Sequence, residues 1–187
     1  AARGRRGRPW LMPDGNFAAS LVVAPPGEPS DFALRSFVAA LALADALGEV
    51  AGPGAEITLK WPNDVLLNGG KVAGILLESA GAGRDISHLV VGVGVNLAAA
   101  PEPGALEEGA AAPVSVLGET GVQVTPEAFL AVLARRFADW EGQLRQYGFQ
   151  PVRQAWLGRA ARLSQPVTAR TMTQIITGIF TTIGTDG

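Results

Sequence analysis

Residues 31–47, DFALRSFVAALALADAL, constrain the fold more than any other part of the sequence. A helix made from this segment is apolar on nearly every side, and such a helix is stable only when it is buried. Ser30 is a favoured N-cap residue and Gly48 commonly follows a helix, so we predict a helix from Asp31 to Leu47. The rest of the chain must therefore supply elements that cover it.

Several short segments have the alternating pattern that is typical of β-strands. The predicted strands are residues 16–23, 57–60, 65–67, 71–78 and 88–97. Asn68-Gly69, between two of these strands, is the strongest short signal for a β-hairpin. The middle of the chain is therefore expected to form a sheet.

The C-terminal half combines helices with a second strand-rich segment. A long helix is predicted over 125–147, with Gly148 as its end, and residues 151–158 indicate a short helix. From Gln165 the sequence is rich in Thr and Ile, which favour strands. We expect this last segment to form the first strands of a small β-barrel.

Composition excludes several classes of function. The net charge of −2 gives no general attraction to nucleic acid or to anionic membranes, and no apolar run reaches the ~20 residues of a membrane helix. We therefore expect neither a membrane nor a DNA partner. The chain has no cysteine, which excludes disulfides and thiol chemistry and fits a cytoplasmic location. With His88 as the one histidine, a zinc site is not expected.

A Gly/Arg segment at residues 3–8 is the first candidate binding element. Arg3, Arg5 and Arg8 lie on a backbone made permissive by Gly4, and guanidinium groups bind phosphates and carboxylates through paired hydrogen bonds. Trp10 follows after Pro9 and can wall a ligand pocket. The alternative is a solvated basic segment, or one that binds RNA.

The second candidate is the turn Lys60-Trp61-Pro62-Asn63-Asp64. Proline ends the preceding strand, so Lys60, Asn63 and Asp64 project from a strand end, and an Asp beside a polyphosphate is a natural magnesium ligand. Lys60 and Lys71 are the two lysines of the chain, against 13 arginines, which indicates that these positions require an ammonium group. The alternative is a solvated turn.

The third candidate is the strand that begins at Lys71. Strict alternation places Lys71 and Ala73 on one face and Val72, Gly74 and Leu76 on the other. A glycine inside a strand often marks the close approach of a ligand, and Lys71 opens the strand, so it can reach around to the site. The alternative for Lys71 is an ordinary exposed hairpin lysine.

The fourth candidate is the strand Val91-Gly92-Val93-Gly94-Val95-Asn96. Alternation puts the three valines on a core face and Gly92, Gly94 and Asn96 on the opposite face. This second face is predicted to be a flat floor on which a planar heterocycle such as adenine can lie, with the Asn96 amide reading its edge. The alternative is that glycine relieves a crowded sheet.

Taken in order, these segments resemble the biotin protein ligase family, catalytic domain. The text that carries the resemblance is RGRRGRPW, GNFAASL, LKWPNDVLLNGGKVAGILLE and VVGVGVNL, which spans residues 1 to about 97. The resemblance implies an α/β (α+β) fold with a mixed sheet and flanking helices, related to class II aminoacyl-tRNA synthetases and lipoate ligases. It implies a catalytic domain over residues 1–160 that lacks its N-terminal part, and a partial SH3-like β-domain over residues 161–187.

The resemblance also implies a reaction. Members of the family make biotinyl-5′-AMP from biotin and ATP with Mg²⁺, and transfer biotin to a lysine of a biotin carboxyl carrier domain. The expected partners are therefore biotin, ATP and the carrier domain, and a homodimer is left open. A lipoate-protein ligase-like adenylating enzyme and a non-enzymatic nucleic-acid-binding module are the alternative functions.

Pattern and resemblance together give the expected site residues. Biotin and the adenylate are assigned to Arg3, Gly4, Arg5, Arg8, Trp10, Lys71 and Gly74. ATP is assigned to Lys60, Asn63, Gly92, Gly94 and Asn96. Lys71, Arg5 and Asp64 are the expected catalytic residues, and Asp64 is the expected Mg²⁺ ligand. Ala2 stands where the family usually has glycine, which puts closure of the basic segment in question.

Overall fold

A computed structural model describes residues 4, 10–24, 29–82, 85–102, 111–170 and 174–187. The strands in this part of the chain are β1 (Phe17–Val23), β2 (Ile57–Lys60), β3 (Asp64–Leu67), β4 (Gly70–Ala82), β5 (Asp85–Val95), β6 (Pro166–Arg170) and β7 (Ile175–Ile179). The helices are α1 (Pro29–Phe32), α2 (Arg35–Ala51), α3 (Val116–Thr120), α4 (Pro126–Tyr147) and α5 (Phe149–Leu157). The predicted α/β class is confirmed.

The central sheet of the described chain has five strands in the order β1-β5-β4-β3-β2. All four pairings are antiparallel, so the sheet is more regular than the mixed sheet expected. Asn68 and Gly69 both have positive φ, 50° and 82°, between paired Leu67 and Gly70. This is the two-residue turn that Asn-Gly predicts, because both central positions of such a turn require positive φ.

The helices lie against one face of this sheet. α2 contacts β2, β3, β4 and β5, and α4 and α5 pack on α2. Apolar residues around nearly the whole circumference of α2 are buried, as the sequence predicts. Phe37 packs edge-on against Phe149 and Trp156 of α5, with ring centroids 5.1 and 5.7 Å apart. The helix that constrains the fold is therefore the centre of the core.

The predicted ends of α2 were wrong. The helix begins at Arg35 after Leu34, which makes no side-chain capping bond, and a separate short turn, α1, precedes it. It continues through Gly48 to Ala51 and ends at Gly52, whose φ is 87°. A glycine ends a helix only where the backbone leaves the helical region, and here the buried side chain of Ala51 favours one more turn.

The predictions for the later helices were closer. α4 begins after Thr125, whose side chain accepts a hydrogen bond from the Ala128 amide, and it ends at Gly148 with φ 74°. α5 occupies Phe149–Leu157, near the predicted 151–158. α3 was not predicted, because five residues give no periodicity to detect.

The sheet has two chemically different faces. The strand register aligns one buried residue from each of the five strands in a row: Leu59, Val65, Ala73, Val95 and Phe17. Their sequence neighbours form a second row on the opposite face of the sheet: Lys60, Asp64, Gly74, Gly94 and Ala18. We call the face with this second row the open face. The helices cover the first row, and the charged residues Lys60 and Asp64 lie on the other side.

A β-bulge changes the alternation in β4. Val65 pairs with Ala73 whereas Leu66 pairs with Lys71, so Val72 is an extra residue with no partner in this pairing. The predicted face of Lys71 was therefore wrong: Lys71 lies on the open face with Gly74, not on the core face with Ala73. One inserted residue reverses the side to which every preceding side chain points.

The C-terminal strands β6 and β7 form an antiparallel hairpin. After it, the chain returns to the helical layer: Phe180 packs on Trp156 with centroids 6.3 Å apart, and Ile183 is buried in the main core. Arg153 of α5 donates hydrogen bonds to the Ile183 carbonyl and the Thr182 hydroxyl. The SH3-like β-domain over residues 161–187 stays a prediction. No helix in the described ranges is long and apolar enough to cross a membrane.

Candidate functional site at the open face of the sheet

An ion pair at the β3–β4 end of the open face joins two of the predicted catalytic residues. Lys71 Nζ lies 2.6 Å from Asp64 Oδ1, and the side chains are 31% and 20% exposed. Asp64 is at the first position of β3 because Pro62 ends the preceding strand, and the bulge turns Lys71 toward it. The structure therefore brings together two residues that strict alternation would have kept apart.

Trp10 covers the glycine positions of the open row. A Cβ built on Gly94 would lie 2.6 Å from Trp10 Nε1, and one on Gly74 would lie 3.0 Å from Trp10 Cζ3. The glycines are therefore required for the indole to approach the sheet. Trp10 also lies under the ammonium group, with Lys71 Nζ 5.7 Å from the ring centroid. Lys71 is thus held between a carboxylate and an aromatic face.

This arrangement changes the predicted use of the glycine floor. Adenine was expected to lie directly on Gly92 and Gly94, but the Trp10 ring occupies the place beside Gly94. A side chain at Gly92 would meet Leu76 instead, at 3.4 Å from its carbonyl oxygen. A planar ligand at this site would therefore contact the exposed parts of Trp10 and Lys71 before it could reach the backbone of β5.

Asn96 lies just beyond the end of β5 and is 2% exposed. Its Nδ2 donates to the Val114 carbonyl at 3.0 Å, so the amide nitrogen is engaged in the structure. Its Oδ1 is buried and has no hydrogen-bond partner among the described residues, and the same holds for Trp10 Nε1. A buried acceptor without a donor is costly, which favours a ligand or water that donates to Asn96.

The turn that carries Asp64 is tied to β4. Asn63 Nδ2 donates to the Ile75 carbonyl at 2.6 Å, and the Ile75 amide donates to the Asn63 carbonyl at 2.9 Å. Asn63, predicted to bind ATP, therefore has a positioning contact as well. Lys60 pairs with Asp64 in the sheet register. These bonds fix the strand end from which the predicted ATP-binding residues project.

A second segment beside Lys71 was not predicted. The Lys71 amide donates to the Ala112 carbonyl at 2.7 Å, and the Val114 amide donates to the Lys71 carbonyl at 3.0 Å. Residues 112–114 thus flank the backbone of Lys71 on the side opposite Leu66. The sequence signal was weak, because Ala- and Pro-rich segments have no pattern that indicates what they contact.

Part of the expected site lies outside the described residues. Arg3, Arg5 and Arg8 belong to this group, whereas Gly4 is described and is half-buried. Among the described residues, no three His, Asp or Glu side chains form a group that could hold a metal ion. Asp64 is therefore the carboxylate that the described site offers, and Lys71 already contacts it.

Sequence comparisons find known proteins that are similar to this chain. A model of the biotin/lipoate A/B protein ligase family matches residues 1–96. The chain is 60% identical over its whole length to a biotin–[acetyl-CoA-carboxylase] ligase of Paracoccus denitrificans, of which it covers 78%. It is 30% identical, over 89% of its length, to the bifunctional ligase/repressor BirA of Escherichia coli, and it spans 51% of that protein.

A solved structure also matches most of the chain. It is the biotin protein ligase from Aquifex aeolicus in complex with biotin and ATP, with a TM-score of 0.74 and 26% identity. The match covers 94% of this chain and 71% of that chain. The same architecture of sheet and helices is therefore found in a protein that binds both ligands.

Proposed function

The chain belongs to the biotin/lipoate A/B protein ligase family, and from this premise we propose that it is an ATP-dependent biotin protein ligase. In the proposed reaction it forms biotinyl-5′-AMP and transfers biotin to a lysine of a biotin carboxyl carrier domain. The relative with 60% identity is named as a ligase of this kind, and the Aquifex aeolicus structure at 26% identity contains biotin and ATP.

The observation that carries the proposal is the position of Lys71. Its ammonium lies on the open face between the Asp64 carboxylate and the Trp10 ring, and it is partly accessible. Adenylation requires a biotin carboxylate oxygen to attack the α-phosphorus of ATP, while the bond to the bridging oxygen breaks and pyrophosphate leaves. The two reactants are anions, so an ammonium placed between them reduces their repulsion and stabilises the transition state.

Arginines of the basic segment are proposed to complete the anion site. Arg3, Arg5 and Arg8 are assigned to biotin and the adenylate phosphate because their guanidinium groups suit both anions. Gly4 gives the segment conformational freedom. Trp10, two residues after Arg8 in the sequence, rests on the sheet next to Lys71.

Asp64 is proposed to act in the transfer step. There the acceptor lysine nitrogen attacks the acyl carbon of biotinyl-AMP, the nitrogen loses a proton, and AMP leaves. The Asp64 carboxylate already binds one ammonium, that of Lys71, at 2.6 Å. The same oxygen can therefore orient the acceptor amine and take up its proton.

ATP is proposed to lie beside the β2–β3 turn and the end of β5, near Lys60, Asn63 and Asn96. The unpartnered Asn96 Oδ1 suits an exocyclic amine donor such as that of adenine. Mg²⁺ commonly uses one or two carboxylates together with substrate phosphates, and Asp64 fits that role. When bound, the ion would supply charge neutralisation for the pyrophosphate that leaves.

The test measures acid-dependent pyrophosphate release by the full chain with ATP and either biotin or lipoic acid. We expect release with biotin and little with lipoic acid, and the reverse preference would indicate a lipoate ligase. Lys71→Met keeps the length of the side chain but removes the charge, and we expect at least a roughly tenfold lower kcat with unchanged thermal stability. Lys71→Met with the wild-type rate would contradict the assigned role.

Salt-sensitive binding of a random oligonucleotide, without pyrophosphate release, would instead support the nucleic-acid module. No contact in the described chain favours that function over the ligase.

A further inference from the structure

A short segment after α5 covers the outer edge of β2. The Leu59 amide donates to the Arg159 carbonyl at 2.8 Å, and the Ala161 amide donates to the Leu59 carbonyl at 2.8 Å. β2 is the last strand of the sheet order, so these bonds are made on the side away from β3. Residues 159–161, which we call the edge segment, therefore hold Leu59 from outside.

A side-chain network fixes the edge segment to the helical layer. Arg159 Nη1 lies 2.6 Å from Asp45 Oδ1 of α2, and Trp140 Nε1 of α4 donates to Asp45 Oδ2 at 2.7 Å. One carboxylate therefore connects α2, α4 and the edge segment. Arg159 and Asp45 are 37% and 22% exposed, so the pair is not fully screened by solvent.

The position of this segment relates directly to the candidate site. Leu59 immediately precedes Lys60, Lys60 pairs with Asp64, and Asp64 forms the ion pair with Lys71. A shift of β2 along its edge would therefore move the Asp64 carboxylate relative to the ammonium. The hydrogen bonds from the Leu59 amide to the Arg159 carbonyl and from the Ala161 amide to the Leu59 carbonyl oppose such a shift.

We propose that Arg159 is a positioning residue for the ligase reaction, acting through Leu59 and the β2–β3 turn on the Asp64–Lys71 pair. The proposal rests on the proposed function for its kinetic consequence. Arg159 does not touch the site itself, so its role is to hold β2 in register while Asp64 and Lys71 bind the reacting groups. The guanidinium secures the edge segment to Asp45, and the backbone of that segment secures β2.

The first experiment compares two variants that remove different contacts from the same carboxylate. Arg159→Met removes the ion pair to the edge segment, and Trp140→Phe removes the hydrogen bond from α4. We expect Arg159→Met to lower kcat for biotin-dependent pyrophosphate release by about three- to tenfold, with KM for biotin nearly unchanged. Trp140→Phe should lower the melting temperature but keep kcat, and Arg159→Lys should recover most of the rate.

A double-mutant cycle separates positioning from general destabilisation. If Arg159 acts through Asp64, Arg159→Met should cause little further loss in an Asp64→Asn background. A full additional loss of kcat in that background would overturn the proposal. So would an equal fall in kcat for Trp140→Phe, because stability alone would then account for the effect of Arg159→Met.

A measurement on the ligand-free protein distinguishes failure of this proposal from failure of the proposed function. Amide hydrogen exchange at Leu59 and Lys60 should be faster in Arg159→Met than in wild type, and unchanged in Trp140→Phe. If exchange behaves this way but wild type releases no pyrophosphate with biotin, the edge segment is correct and the ligase assignment fails. Unchanged exchange in Arg159→Met overturns the edge segment whatever the activity.

Discussion

The two faces of the central sheet are made by alternate residues of the same five strands, yet they differ in almost every physical property. On one face, Leu59, Val65 and Val95 are completely buried beneath the helices. On the other, Asp64, Gly74 and Gly94 leave room for an indole ring and an ion pair. Successive side chains of a strand point to opposite faces, so one residue packs in the core while its neighbour lies at the candidate site.

The two faces differ in the kinds of residue that they tolerate. The core row excludes water, so a polar group placed there would have no partner. On the open face, Asp64 and Lys71 satisfy each other and remain partly solvated, while two glycines admit Trp10. Charge is therefore placed where it can still reach a substrate, and stability is supplied by the opposite face.

The largest effect is expected from moving a charge across the sheet. Val65→Asp places a carboxylate at a fully buried position beside Ala73, and we expect it to cost more than about 4 kcal/mol and to prevent stable folding. Its neighbour supplies the control: Asp64→Asn should fold normally and lose most, but not all, of its activity. Thermal melts followed by circular dichroism check this, and a Val65→Asp protein that melts near wild type would refute the assigned faces.

An intermediate effect is expected on the open face itself. Gly94→Ala adds a methyl group where Trp10 lies, whereas Gly92→Ala, two residues away on the same strand and face, meets Leu76 at an ordinary distance. We expect Gly94→Ala to displace the ring and to reduce kcat/KM for biotin about tenfold, since small misplacements near reacting groups are costly. Gly92→Ala should stay within about twofold of wild type, because its contact needs little adjustment.

The displacement of Trp10 can be followed directly. With 5-fluorotryptophan incorporated, the fluorine resonance assigned by Trp10→Phe should shift in Gly94→Ala and stay in place in Gly92→Ala. Equal shifts in both variants would mean that the indole does not rest on Gly94.

The smallest effect concerns charges that belong to neither face. Hydrogen bonds from Arg135, then from Arg136, lower the pKa of Glu49 below its usual value. Because the folded-state pKa is lowered, the stabilisation is present above the usual pKa and is lost as the pH falls through the lowered one. The melting temperatures of wild type and Glu49→Gln should therefore differ slightly at neutral pH and converge in acid, with equal ligase activity at neutral pH.

Persistence of the same difference at low pH would show that Glu49 contributes through packing and not through its charge.

Local signals explain which parts of the fold could be predicted from the sequence. Asn68-Gly69 and the Thr125-Pro126 start of α4 depend on their own backbone preferences, and both are found as expected. Gly48 misled the prediction, because the end of α2 is decided by what the next turn packs against. The bulge at Val72 was missed for the same reason: it depends on the pairing of β3 with β4, which no single strand encodes.

The candidate site was predicted by residue type more successfully than by arrangement. Lys71, Asp64, Trp10 and Gly74 do meet at one place. Two features of the site depend on contacts between segments that are far apart in sequence. Trp10 lies on Gly94, and Asn96 is buried with one unpartnered oxygen. Arg159 and its edge segment gave no signal, since an arginine in a connecting loop is common.

The extra residue at Val72 has a consequence for how such a strand can vary. Removing Val72 would restore strict phase between β3 and β4, and Lys71 would stay opposite Leu66 on the open face. A one-residue deletion here would therefore remove the bulge without moving the ammonium to the helical layer. The pairing of Lys71 with Leu66, and not the number of residues that separate Lys71 from Gly74, fixes the face on which the ammonium lies.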